Sequence, residues 1–138
     1  NYLTKRNSSL VKFKFFKTKE IIYCKINKTL FEWVIENLVK NAVDSMGGKG
    51  NIIISSNIKI NNEIQIIIKD DGRGVELKNQ KKIFNSGYTS KKKGWGLGLS
   101  LSKRIIMQYH NGKIFIKKSE INKGTSIEIN LPFITENF

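Results

Sequence analysis

The chain reads as an α+β domain with helices packed on one face of a mixed sheet. Two long segments, residues 29–46 and 97–109, read as helices, the first repeating apolar residues near the helical period. Several short runs are dense in Ile, Val and Phe, as strands are. Strands and helices do not alternate strictly, so an all-parallel βαβ architecture is not expected.

Each element follows from local pattern. Residues 1–9 are polar and read as a linker. Residues 10–16 and 20–26 alternate or run apolar and are expected to be two strands, with Lys17-Thr18-Lys19 as the turn between them. From 29 to 46, Leu30, Phe31, Val34, Ile35, Leu38, Val39, Ala42, Val43 and Met46 form a wide apolar face. Thr29 or Asn27 can cap its start, and Gly47-Gly48 stops it. Residues 51–56 and 63–69 read as a strand pair turning at Asn61-Asn62. A short helix is expected over 76–84, then a glycine- and lysine-rich loop over 85–95. A second long helix over 97–109 stops at Asn111-Gly112. Two strands follow over 113–118 and 125–131, with Gly124 at the bend before the second and Pro132 ending regular structure.

A chain of 138 residues fits one domain, residues 10–138 after the linker. No apolar run approaches the ~18 residues needed to span a bilayer, and no secretory leader is visible at the N-terminus. The expected location is therefore the cytoplasm, with a parent protein either soluble or membrane-anchored. The single cysteine, Cys24, cannot form an internal disulfide and reads as a small strand residue. Net charge is +14, which raises nucleic-acid binding. Yet Lys (22), Ile (22) and Asn (15) dominate and Arg numbers three, whereas base readers draw on Arg. No nucleic acid is expected as partner; the basicity reads as compositional bias.

Four motifs carry the chemistry. The first is Glu36-Asn37-Leu38-Val39-Lys40-Asn41-Ala42. Asn37, Asn41 and Asp44 fall at i, i+4, i+7, one polar strip on the first helix. Their side-chain oxygens are the hard donors that Mg²⁺ accepts beside water and phosphate. The second, Asp70-Asp71-Gly72-Arg73-Gly74, follows an apolar strand. There a carboxylate can accept from an exocyclic amine such as adenine N6, and Gly72 and Gly74 let backbone approach a flat ring. Asp71 is expected on the opposite side of the strand. Third comes Phe84-Asn85-Ser86-Gly87-Tyr88-Thr89-Ser90-Lys91, where Thr89 and Ser90 can donate to phosphates and Lys91 can balance γ-phosphate charge. Last is Gly94-Trp95-Gly96-Leu97-Gly98-Leu99, leading into the second helix. It is neither a Rossmann fingerprint nor a P-loop, but its glycines let N–H groups converge on phosphate at a helix start.

In this order the motifs resemble the nucleotide-binding signature of the GHKL ATPases: sensor histidine kinases, gyrase B, Hsp90 and MutL. The resemblance runs over about residues 20–132 and is nearest the ATP-binding catalytic domain of bacterial sensor histidine kinases. It implies a two-layer α/β sandwich of the Bergerat type, a mixed sheet covered on one face by about three helices. The nucleotide is expected between the first and third helices, under the loop of 85–96. It implies ATP and Mg²⁺ as cofactors, Asn41 as the Mg²⁺ ligand, Asn37 on the phosphate or water side, and Asp70 as the adenine reader. Asn37, Asn41 and Lys91 are the implied catalytic residues. Asp44, Gly72, Gly74, Thr89, Ser90, Gly94, Gly96, Leu97, Gly98 and Leu99 are implied to line the nucleotide.

The implied reaction is γ-phosphoryl transfer to a histidine on an upstream dimerisation domain, with a response regulator downstream. The isolated domain is expected to be a monomer and its parent a homodimer. His110, at the end of the second helix where a cation suits the dipole, is not expected to be the acceptor. In the gyrase and MutL branch a glutamate that activates water occupies the position of Asn37. Asparagine cannot act as a base near neutral pH, which favours transfer over hydrolysis. A hydrolytic GHKL ATPase, an anti-sigma-type serine kinase and a non-catalytic scaffold are the alternatives.

Overall fold

The computed structural model describes residues 10–85 and 98–134. The 1–9 linker and most of the loop lie outside them. Five strands, β1 (Val11–Phe16), β2 (Gly50–Lys59), β3 (Glu63–Asp70), β4 (Lys113–Glu120) and β5 (Gly124–Pro132), form one sheet in the order β1-β2-β3-β5-β4. The β1–β2 pair is parallel and the others antiparallel, so the sheet is mixed, as expected.

Helix α1 (Lys28–Ser45) forms where the apolar period predicts it. Asn27 is the cap: its side chain accepts from the Leu30 N–H at 3.0 Å. Gly47 and Gly48 end the helix at φ 67° and 81°, a backbone that side chains resist. Helix α2 (Gly98–Arg104) continues as a single π turn over Ile105–Tyr109. Between β3 and α2, the expected short helix is two 3₁₀ turns, Leu77–Asn79 and Lys82–Phe84. Ile83 from the second turn is buried and Phe84 packs on the core.

Sheet and helices share one core. Val34, Leu38, Val39 and Ala42 of α1 and Ile105 and Ile106 after α2 pack against Ile52, Ile64, Ile68, Ile129 and Leu131. Strand periodicity places these sheet residues on one face. The other face carries the intervening, mostly polar residues, with Phe16, Ile53, Ile67 and Phe115 among them, and receives no described helix, which makes a two-layer sandwich.

One element is corrected. Residues 20–26 are not a strand; they touch the sheet pattern only through a single bridge, Tyr23 with Ile134. Ile22 and Cys24 still turn onto the core while Ile21 and Tyr23 stay exposed. The alternation is real, but one side of the segment is satisfied by packing rather than by a ladder. Cys24 is therefore a half-buried loop residue, and burial pushes its thiol pKa up.

Candidate functional site

Asp70 ends β3 on the core face, paired with Ile52. It is only 7% exposed, and its Oδ1 accepts from the Gly72 N–H at 2.7 Å and the Thr125 N–H at 3.3 Å. Burial pushes its carboxyl above the ordinary carboxylate range, against the opposing pull of those two hydrogen bonds. Asp71 turns away, as expected, and its Oδ2 accepts from the backbone and side-chain nitrogens of Asn51 at 2.9 and 2.8 Å.

The glycine segment after Asp70 is clamped from two sides. The Arg73 N–H donates to the Ser45 hydroxyl (3.1 Å) and carbonyl (3.2 Å) at the end of α1. From the β4–β5 turn, Asn122 N–H donates to the Arg73 carbonyl at 2.8 Å, and Ser119 Oγ accepts from Val75 N–H at 2.8 Å. The approach is close enough that a Cβ at Gly72 would overlap the Ser45 hydroxyl. One at Gly74 (φ 75°) would overlap the Glu120 carbonyl. Both glycines are required by the backbone before any ligand is considered.

The polar strip of α1 faces the start of α2. Asn37 Nδ2 donates to Ser102 Oγ at 3.2 Å, and Ser102 in turn donates to the Gly98 carbonyl at 2.8 Å. Gly98 lies so close that a Cβ there would crowd the Asn37 amide. Asn41 is half-buried and Asp44 exposed on the same helix. Leu99 packs on the core. The strip, the Asp70 carboxylate and the start of α2 thus border one region. Thr89, Ser90, Lys91, Gly94, Gly96 and Leu97 lie outside the described residues, as do Lys92, Lys93 and Trp95.

Ser45, Ser102 and Thr125 are the site residues that sequence reasoning passed over. Ser45 is i+4 from Asn41 and extends the strip, a signal that was available. Ser102 is fully buried three residues past Leu99. Thr125 acts through its backbone N–H, which no residue type reveals.

His110 sits at the end of the α2 segment, as expected, and is buried, 4% exposed, with both ring nitrogens engaged. Nε2 accepts from the Asn27 N–H at 3.0 Å and Nδ1 faces the Ile105 carbonyl at 3.0 Å. That network assigns the proton to Nδ1. Phe31 lies 5.7 Å from the ring, centroid to centroid. The imidazole ties the cap of α1 to the end of the α2 segment.

Comparison with known proteins gives a consistent result. The sequence profile described as "Histidine kinase-, DNA gyrase B-, and HSP90-like ATPase" matches residues 27–135. Sporulation kinase E of Bacillus subtilis (strain 168) is 37% identical over 111 residues, 80% of this chain and 14% of that protein. Across the four B. subtilis sporulation kinases that it matches, the chain spans 14–28% of their length. Among solved structures, the catalytic domain of histidine kinase ThkA, in a nucleotide-free form, superposes with a TM-score of 0.79 at 29% identity. That match covers 94% of this chain and 82% of that one. ThkA solved in complex with the response regulator protein TrrA gives 0.75 at 27% identity, covering 90% and 34%.

Proposed function

The chain belongs to the histidine kinase-, DNA gyrase B- and HSP90-like ATPases, and from that premise we propose that it binds Mg·ATP and supplies the γ-phosphoryl group to a histidine on a separate dimerisation domain of a sensor kinase. The observation that carries this reading is the Asp70 carboxylate. Two backbone N–H groups hold its Oδ1, which leaves Oδ2 as the oxygen to meet the adenine amine. A charged acceptor suits an amine and repels the carbonyl that guanine offers at that position.

Mg²⁺ fits the donor chemistry of the α1 strip, amide and carboxylate oxygens at helical spacing. Asn41 would hold it together with phosphate oxygens, and when bound it would neutralise phosphate charge. Asn37 has its amide nitrogen committed to Ser102, which leaves its oxygen as an acceptor for a water's hydrogen. An amide at this position cannot deprotonate water near neutral pH. The acceptor imidazole brings its own nucleophile: its N–P bond forms as the β–γ bridging O–P bond breaks, ADP leaves, and the imidazole proton passes to solvent. Lys91 is assigned to the γ-phosphate by its place in the motif alone.

The acceptor is not in the described residues, where His110 is buried and hydrogen-bonded at both nitrogens. A dimerisation domain upstream and a response regulator downstream are the partners this reading requires. Titration calorimetry with ATP and GTP, with and without Mg²⁺, is the test. Adenine-selective, Mg²⁺-sensitive binding with negligible steady ATP turnover is expected. Sustained turnover by the isolated chain would move the reading to a hydrolytic ATPase, and equal affinity for GTP would remove Asp70 as the reader.

A further inference from the structure

Asp70 draws its two backbone donors from two separate arms of the chain. Gly72 lies in the glycine turn after β3, and Thr125 near the start of β5. One side chain joins the arms. The half-buried Ser119 of β4 is the cross-strand partner of Thr125. Its Oγ lies 2.7 Å from Thr125 Oγ1, 2.8 Å from the Val75 nitrogen and 3.3 Å from the Gly124 carbonyl oxygen. A hydroxyl has one proton and two lone pairs, and one assignment meets all three contacts. Ser119 donates to the Gly124 carbonyl and accepts from the Thr125 hydroxyl and the Val75 N–H. Gln80 closes the same junction: its Nε2 donates to the Val75 carbonyl at 3.0 Å and the Ser119 carbonyl at 3.3 Å. A further tie between the arms, from Asn122 N–H to the Arg73 carbonyl, is backbone alone.

We propose that Ser119 is a positioning residue for adenine recognition: through Thr125 and Val75, its hydroxyl fixes where the two N–H donors hold Asp70 Oδ1, and so where the second carboxylate oxygen points. This role rests on the reading of Asp70 as the adenine acceptor. Ser119 acts at one remove, since its Oγ meets the arms that carry the donors and not the carboxylate. Burial raises the Asp70 carboxyl pKa, and the hydrogen bonds from Gly72 and Thr125 pull it down. Displacing those donors is therefore readable in the protein without nucleotide. Asp71, which raises the same carboxyl, and Arg73, which lowers it, are charges that a substitution at Ser119 leaves in place.

Threonine and valine are both β-branched and differ by a hydroxyl against a methyl, so Ser119→Thr and Ser119→Val make the test pair. Two quantities are read on each: ATP and GTP affinity by titration calorimetry, and the Asp70 carboxyl titration by carbon-13 NMR without nucleotide. Ser119→Val should lose about tenfold in ATP affinity with GTP affinity unchanged, and its Asp70 pKa should rise. Ser119→Thr should stay within about twofold of the parent and keep the parent's titration. Asn27→Ala, a cap variant remote from Asp70, should lower Tm and move neither quantity. Circular dichroism checks folding, and Ser119→Ala against the parent replaces the pair if either variant does not fold. Parent-like values in Ser119→Val, equal losses in both variants, or a change in only one of the two quantities would each overturn the proposal. Failure of the parent chain itself to prefer ATP over GTP is a separate result: it removes the adenine reading of Asp70, and this role with it.

Discussion

Asn37 on α1 donates its amide nitrogen to the hydroxyl of Ser102 on α2, 65 residues away, at 3.2 Å. The bond orients the Asn37 amide and joins α1 to α2. Ser102→Ala removes the acceptor and should lower unfolding free energy by about 1 kcal/mol. A double-mutant cycle with Asn37→Ala, read by urea denaturation, should return a coupling of roughly 0.5–1.5 kcal/mol. Zero coupling would mean that the pair is not formed in solution.

Asp70→Asn should weaken ATP binding about a hundredfold, the scale of one charged hydrogen bond replaced by an unmatched donor. Stability should move the other way. Burial raises the Asp70 carboxyl pKa in the folded state. Its contribution is therefore fully present below the unfolded carboxylate value of about 3.9 and is lost as pH rises through the folded value. The asparagine variant escapes that loss, so its Tm near neutral pH should equal or exceed the parent's. Scanning calorimetry across the acid range checks the sign.

Gly124→Ala tests the clamp. Gly124 has φ 117°, and a Cβ there would overlap the Asp70 carbonyl. Relief requires backbone movement at Asp70 itself. A loss of about 2–4 kcal/mol is expected, from conformational strain together with overpacking. ATP affinity should fall with it, measured by calorimetry below the variant's Tm. Loss of stability with unchanged affinity would show that the turn and Asp70 move independently.

His110→Ala leaves the Asn27 N–H and the Ile105 carbonyl without partners and opens a cavity beside Phe31. The expected cost is about 2–4 kcal/mol. Asn27→Ala keeps its backbone N–H and loses only the cap to Leu30, so about 1 kcal/mol is expected. Chemical denaturation of both variants should rank them in that order.

Asn41→Ala should reduce the Mg²⁺-dependent part of ATP affinity by roughly tenfold, one ligand lost from a site held mostly by phosphate and water. Affinity measured in a chelator should not change. Calorimetry with and without Mg²⁺ separates the two.

Much of this domain was legible from local pattern. The 3.6-residue spacing of Val34, Leu38 and Ala42 specified α1, and Gly47-Gly48 specified its end. The isoleucine runs specified β2 and β3, and the motif order identified the family and the place of Asp70. Two of the serines were not legible. Ser102 and Ser119 look like ordinary polar residues until the chain brings Asn37 and Val75 to them.

The sequence by itself determined which side of each element faces the core, because that preference is encoded in the period of apolar residues a few positions apart. Tertiary structure decided what could satisfy it. Residues 20–26 alternate as a strand does, yet Ile22 and Cys24 bury their apolar sides on the core while the segment makes a single bridge. The Thr125 N–H that reaches Asp70 depends on strand register and on a contact made across 55 residues. Local pattern carries no information about such pairings, since every backbone donor is chemically alike until the fold selects its partner.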